Sequence, residues 1–483
     1  MTAARTVLAI DLGTQSLRLT LMSATGDSLW SYIRPIASRV GAGIQEQDAA
    51  EWREYVIAGL DSASKHNIVP DAIVACGPLA GFVPLGLEGE ILGAAVLYND
   101  VRSERFLGIV GDGVDREAPR NTIADPLPHA LRLRSDERTT FAAMRHFLDA
   151  TGFLNFVLCG EATLNAYTAL RLDPARRAQL GLDAVPFGRR VETGQIIGTL
   201  RAELAASLGW PALPIVAAPF DSKCAYLGSG ISRPGDALDI SGTVTSFGVV
   251  AERRIADAGQ RIYSVPFGSS WLVRGSTAAS GSVIEWARSL LGIDVETFDA
   301  LAVGEIGGND ALVVPFHAGA RAPLWQPHAR GLAVGIDLAT DRSALARGTY
   351  LGLALSLRHI VETIESNGAA IRTLFLAGGL AKSPVLSQFK ADMLGRPVIA
   401  LSQTELTTAG LAAIGATALG LYPSLSDAAV AFAKGGVPYM PRLAPDAADQ
   451  LYRRYLDAAA FAASSQHREP SACQQSACEP IKC

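Results

Sequence analysis

The chain has 483 residues, with 42 Lys+Arg against 47 Asp+Glu for a net charge of -5, and is 49% hydrophobic and 18% charged. That hydrophobic share fills large cores over roughly three units of about 150 residues, which excludes disorder for most of the chain. A mildly acidic balance without a Lys/Arg run gives no electrostatic footprint for nucleic acid or an anionic membrane, so neither is an expected partner.

The N-terminus runs straight into an apolar strand without the apolar core and cleavage site of a signal peptide, and the expected location is cytoplasmic. The opening segment VLAIDLGTQSLRLTLMSATGDSLW reads as an apolar strand ending at Asp11, a Gly13-Thr14 turn, a second strand, a turn at Ala24–Asp27 and a third strand. A helix is predicted from Ala49 to His66, because Trp52, Tyr55, Val56, Gly59 and Leu60 recur at helical spacing. The strand AIVACG and a strand-turn-strand over FVPLGLEGEILGAAVLYND come next. FAAMRHFLDATGFLNFVLCGE reads as helical, and PALPIVAAPFD as a strand terminating in Asp221, followed by helical SKCAYLGSG.

GDALDISGTVTSFGVVAERR repeats the opening device, an apolar strand, Gly242-Thr243 and a second strand, and suggests two related domains with a boundary near Ser232–Gly235. Helices are predicted over Ser280–Leu291, Ala344–Glu365 and Pro384–Gly395, with TLFLAGG as a strand entering a glycine pair. The stretch Leu406–Ser426 carries no charge, but its Ala, Gly and Thr content fits a buried, closely packed helix better than a membrane span. A last amphipathic helix closes the domain. Strands alternating with helices, with hairpins among them, imply an α/β fold with mixed sheets. Cys76, Cys159 and Cys224 are expected as reduced thiols in apolar surroundings. Cys473, Cys478 and Cys483 stand in a polar tail, residues 463–483, that lacks the apolar content to fold and has no zinc spacing.

Several chemistries are excluded by missing motifs. AGGLAKSP has Ala381 where a P-loop needs its second glycine, and GxGxxG, GxSxG and HExxH are absent. What remains is a pair of acid-terminated strands with Gly-rich turns. Gly13-Thr14 and Gly242-Thr243 place permissive backbone and a hydroxyl where N–H groups can surround a phosphate. Asp11 can hold Mg²⁺ directly or through water. Gly378-Gly379 let a flat ligand approach the backbone. Each alone is more often a plain turn or helix entry; the order of all of them is not.

That order resembles the actin-like phosphotransferases, and the FGGY carbohydrate kinases, pentulose kinases such as xylulokinase among them, in particular. IQEQDAAEW is similar to that family's acidic segment, LYNDVRSE to its sugar-side Trp-Asn-Asp-x-Arg with Tyr98 in the Trp position, GARAPLWQPHARGLAVGI to its Gly-x-Arg-x-Pro loop, and LFLAGGLAKSPVLSQFKADMLGRPV to its C-terminal signature. The resemblance covers about residues 6 to 460. It implies two ribonuclease-H-like domains, residues 1–234 and 235–462, with mixed sheets flanked by helices and ATP in the cleft between them. By position, it implies that Asp11, Gly13, Thr14 and Gln15 form the first phosphate loop, Gly242 and Thr243 the second, and Gly378 and Gly379 the adenosine motif. It makes Asp221 the catalytic base, puts Asp11 and Asp221 at Mg²⁺, and puts Leu79, Ala80, Tyr98, Asp100, Arg102 and Trp271 on the sugar side, although a strand Trp is more often core.

Two departures bear on the substrate. Gly77-Pro78-Leu79-Ala80-Gly81 stands where xylulokinases carry Gln-Met-His-Gly and glycerol kinases Arg-Glu, so both polar sugar contacts are lost. DPLPHALRLR lacks the Lys and Trp of the first signature, and His129 within it is expected to pack rather than bind. The expected activity is transfer of phosphate from ATP to a terminal hydroxyl of a small sugar, a D-xylulose- or D-ribulose-like ketopentose. A glycerol or erythritol kinase and a nucleotide sensor of negligible turnover are the alternatives. Related kinases often form dimers, so a homodimer is compatible with the resemblance.

Overall fold

The computed structural model describes residues 5–111, 122–306 and 311–464. Cys473, Cys478 and Cys483 of the tail lie outside the described residues. Two large sheets share one plan. In the first, β1 (Thr6–Leu12), β2 (Ser16–Ser23), β3 (Ser28–Pro35), β4 (Ala72–Cys76), β5 (Ile196–Thr199) and β6 (Pro214–Val216) are ordered β5-β6-β4-β1-β2-β3. The second contains β7 (Asp236–Ser241), β8 (Thr245–Ala251), β9 (Tyr263–Phe267), β10 (Ser270–Ser276), β11 (Thr373–Ala377), β12 (Val398–Leu401) and β13 (Gly436–Tyr439), ordered β9-β10-β8-β7-β11-β12-β13.

In each sheet a leading strand pairs antiparallel with its hairpin partner and parallel with the strand on its other side: β1 with β2 and β4, β7 with β8 and β11. The second sheet differs by one added edge strand, β9. The repeat weakly visible in the sequence is thus a repeat of topology.

Helix α1 (Ala49–Lys65) starts where the Asp48 side chain accepts from the Ala50 N–H at 2.8 Å, and buries Trp52, Val56, Leu60 and Ala63 against the first sheet. α2 (Asp221–Gly228) and α6 (Leu406–Ala418) pack together between the sheets, joining Val7, Val74, Cys224, Tyr226, Leu238, Val250 and Leu411 in one core. A Cβ on Gly228 would overlap Leu406 backbone, and one on Gly410 would overlap Cys224 backbone. The small residues that made Leu406–Ser426 look unusual are therefore there for close helix contact. Among the described residues no helix is long and apolar enough to cross a membrane. α3 (Gly281–Leu291), α4 (Arg342–Ser366) and α5 (Pro384–Leu394) flank the second sheet.

Two expectations need correction. The helical reading of residues 141–161 is interrupted: a strand at His146–Leu148 separates the helix Arg138–Ala143 from Ala150–Cys159. Pairing with Ala80–Leu85 and stacking of Phe147 on Phe82, with centroids 5.2 Å apart, override local helical preference, and Asp149 restarts the helix by accepting from Gly152 N–H at 2.7 Å. Asp221 does not end a strand. β6 stops at Val216, Pro219 can donate no ladder hydrogen bond, and Asp221 is the first residue of α2, with Phe220 at the cap position.

Candidate active site

Asp11 lies at the end of β1 in register with Cys76 of β4, whose thiol lies 3.8 Å from Asp11 Oδ1. The chain after Cys76 is Gly77, and its carbonyl accepts from the Asp221 N–H at 2.9 Å. This bond draws the start of α2 to the end of the first sheet and brings the two carboxylates together. Burial pushes Asp11 up to about 7, and the charge of Asp221 adds to the rise, while Arg18, opposite it on β2, pulls down. Arg18 itself ion-pairs with Glu405 ahead of α6. Asp221 is pushed up to about 6 by burial, opposed by the Ser222 N–H and the charge of Arg274.

Both Gly-Thr turns are hairpin tips. In the first, Gly13 N–H donates to Ser16 O at 2.8 Å, Gln15 is exposed, and Thr14 O accepts from Gln47 Nε2 at 2.8 Å. Gln47 also accepts from Trp52 Nε1 at 3.0 Å, so this buried amide anchors the turn to α1. Its role went unread in the sequence, where it was one polar residue in an acidic segment. In the second tip, Gly242 O and Thr243 O accept from the Gly281 and Ser280 N–H groups at 2.8 and 2.9 Å, tying the turn to the start of α3.

Gly378 follows β11 with φ +84°, and a Cβ there would lie 2.5 Å from Ser241 O. The adenosine motif and the second tip therefore adjoin. Gly242 and Gly379 face open space, with no atom within 4 Å of a built Cβ.

The sugar-side candidates divide. Asp100 is fully buried and its carboxylate is occupied by Arg102 and the Gln45 N–H at 2.9 Å, while Arg102 also pairs with Glu46. Asp100 therefore holds Arg102 in place. Tyr98 is exposed, Leu79 half-buried, and Ala80 is in the core with φ +69°. His129 packs near Phe82, 5.3 Å between rings, and burial holds it down at about 4, so it is neutral at pH 7.

Trp271 does not join Asp221. Strand alternation on β10 puts Leu272 and Arg274 on the face toward α2, and Trp271, Val273 and Gly275 on the opposite face, where Gly275 adjoins Ile360 of α4. The residue facing Asp221 from β10 is Arg274, with Lys223 and Tyr167 beside it. The sequence offered no motif for these; strand alternation from Trp271 would have pointed to Arg274.

Two sheets of one plan, each with a Gly-Thr hairpin tip at the end of its leading strand, define a two-domain, actin-like fold. Residues 240–419 match the FGGY family of carbohydrate kinases, C-terminal domain. The chain is 26% identical over 465 residues to the xylulose kinase of Bacillus subtilis, covering 90% of this chain and 93% of that one. It is 27% identical over 496 residues to the glycerol kinase of Alkalilimnicola ehrlichii, covering 90% and 94%. The structure is similar to the gluconate kinase of Lactobacillus acidophilus, with a TM-score of 0.87 over 96% of this chain and 99% of that one at 19% identity. Residues 240–419 thus carry the C-terminal domain of the FGGY carbohydrate kinases, and the chain, similar over 90% of its length to kinases of a sugar and of a polyol, is a carbohydrate kinase.

Proposed function

We propose that the protein transfers the γ-phosphoryl group of ATP to a terminal hydroxyl of a small open-chain sugar of ketopentose size, D-xylulose- or D-ribulose-like. Residues 1–234 and 235–462 serve as its two domains. The observation that carries this reading is the carboxylate of Asp221, tied to Gly77 beside Asp11 at the cleft end of the first sheet.

Asp221 accepts the proton of the attacking hydroxyl as its oxygen bonds to the γ-phosphorus and the bond to the leaving ADP breaks. An ordinary carboxylate is a weak base at neutral pH; burial that raises Asp221 to about 6 strengthens it. The Gly13 and Gly242 N–H groups close their own turns, so the backbone N–H groups of Thr14, Gln15 and Thr243 hold the phosphates, and Gly378-Gly379 leave room for the adenosine.

Two neighbouring carboxylates, of which Asp221 raises the proton affinity of Asp11, suit a divalent cation, so Asp11 and Asp221 fit Mg²⁺. Among the described residues no group of three or more His, Cys, Asp or Glu forms a cage. That agrees with a cation held by one or two carboxylates and completed by phosphate and water. When bound, Mg²⁺ would neutralise charge on the transferring phosphates.

The glycerol kinase relative favours a second reading, a polyol acceptor of glycerol or erythritol size. Coupled ADP release with Mg-ATP against ketoses, hexuloses, erythritol and glycerol tests both. Turnover with a five-carbon acceptor is expected; a preference for glycerol would support the second reading, and no response to any acceptor would defeat both.

A further inference from the structure

We infer that the acceptor sugar carries a carboxylate, which Arg274 binds at the end of the cleft away from the phosphate loops. The inference rests on the kinase reading above and names the chemical class of its acceptor; ketopentose size then describes chain length, not a neutral far end.

Three cationic side chains gather behind Asp221. Arg171 is compensated: it pairs with Asp125 at 3.4 Å and donates to the Tyr167 hydroxyl at 2.9 Å. Lys223 is occupied, donating to Pro266 O at 2.6 Å with its ammonium 4.6 Å from the Tyr167 ring centre and 5.6 Å from that of Phe220.

Arg274 is different. Among the described residues no carboxylate pairs with it; it donates to Ser246 Oγ at 2.8 Å and lies over the rings of Tyr226 and Tyr263, 5.3 and 5.9 Å from their centres. Its Nε is buried with no hydrogen-bond partner. A guanidinium has five N–H donors in a planar fork, and removing such a charge from water without an anion is costly. The other arginines near the cleft are answered by protein carboxylates, as Arg102 is by Asp100 and Glu46. A half-buried cation with no carboxylate in hydrogen-bonding contact, and only the more distant charge of Asp221 near it, is what a site for an anionic ligand group looks like before the ligand arrives.

Strand geometry separates this site from the nucleotide. Ser246 stands three residues beyond Thr243, about 10 Å along β8, and Arg274 is paired with Gly248, farther still from the tip. Phosphates seated at Gly242–Thr243 are thus about the length of a short sugar chain from the guanidinium. Asp221 lies within electrostatic reach of Arg274. A carboxylate suits the planar fork through two parallel hydrogen bonds, and with Lys223 already engaged there is one unanswered guanidinium to answer one negative charge. The reaction is unchanged: the hydroxyl at the far end attacks the γ-phosphorus, its proton passes to Asp221, ADP leaves, and the carboxylate is not altered.

The test is coupled ADP release by the full chain with Mg-ATP on five- and six-carbon aldonates and 2-keto-aldonates, on neutral ketoses and polyols, and on sugar phosphates. One sugar acid is expected to exceed every neutral acceptor in kcat/KM by about 100-fold or more. Arg274→Leu should raise KM for that acid by about 100-fold with a far smaller change in kcat, and Arg274→Lys should recover part of the loss. These two variants are compared at matched thermal stability, and the wild-type preference stands apart from either. A neutral acceptor or a sugar phosphate preferred by the wild type overturns the inference while leaving the kinase reading intact. So does an Arg274→Leu enzyme that loses ATP affinity instead of acid affinity. Turnover of no acceptor overturns the kinase reading, and this inference with it.

Discussion

The backbone amide of Asp221 is hydrogen-bonded to the carbonyl of Gly77, 2.9 Å away, so the first turn of α2 is fixed to the end of β4. Because Cys76, one residue earlier, is in register with Asp11, the same bond fixes the spacing of the two carboxylates. Replacing the Asp221 side chain leaves this backbone bond in place. Asp221→Asn should lower kcat by about 10³-fold or more, through loss of the base, while nucleotide affinity changes by only a few-fold. Single-turnover phosphorylation beside ATP titration checks it; comparable turnover in the variant refutes the base.

The same pair sets a pH dependence. Asp221 must be ionised to accept a proton, and burial raises it to about 6. At low Mg²⁺, kcat/KM should therefore climb as pH rises through about 6. Added Mg²⁺ favours the ionised carboxylates and should shift the acid limb downward. A profile flat from pH 5 to 8 at both Mg²⁺ levels would rule this out.

Asp11 carries a stability cost with the opposite sense to most carboxylates. Its folded value near 7 exceeds the ordinary 3.8, so the folded chain binds the proton more tightly. Stability is greatest below the unfolded value, declines as pH rises through that window, and the loss is complete above about 7. Asp11→Asn should thus be more stable than wild type at pH 8, on the order of 1–4 kcal/mol, with the difference gone near pH 4. Thermal unfolding at both pH values, with activity abolished at pH 8, distinguishes a charge held for function from one held for folding.

Period and turn chemistry made much of this readable. Both hairpins, the tips at Gly13-Thr14 and Gly242-Thr243, and the helix Ala49–Lys65 are local patterns that form near their expected bounds, while the uncharged helix starting at Leu406 ends at Ala418, short of the expected Ser426. Tertiary facts were not readable. Whether Asp100 faces a ligand or clamps Arg102 depends on Glu46 and Gln45, more than fifty residues away. Trp271 and Arg274 are three residues apart on one strand, and only the packing of α2 against one face says which of them meets Asp221.

Two adjacent-looking glycine requirements should separate. At Gly378 a Cβ meets Ser241 O at 2.5 Å and φ is +84°, so Gly378→Ala should destabilise the fold by about 1–3 kcal/mol. A Cβ at Gly242 meets nothing within 4 Å, so Gly242→Ala should leave the unfolding temperature near wild type and weaken ATP binding by crowding the phosphate. Paired melting curves and ATP titrations decide this. A Gly242→Ala protein that binds ATP normally would remove that tip from the phosphate site.

Beneath that tip, Lys390 of α5 donates to Asp239 Oδ2 at 2.6 Å and to Ser241 Oγ at 3.0 Å; Ser241 continues to Thr245 at 2.9 Å, and Thr245 to Ser280 at 3.0 Å. This buried chain runs from α5 under the tip to the start of α3. Losing one ion leaves the other buried and unpaired, so Lys390→Met should cost about 3–5 kcal/mol. Removing both charges in Lys390→Met with Asp239→Leu should restore much of the stability, since a buried pair barely repays its desolvation. If the network's purpose is to hold the tip, the double variant melts near wild type yet binds ATP more weakly. A double variant with normal ATP affinity would mean that the polar chain serves the core alone.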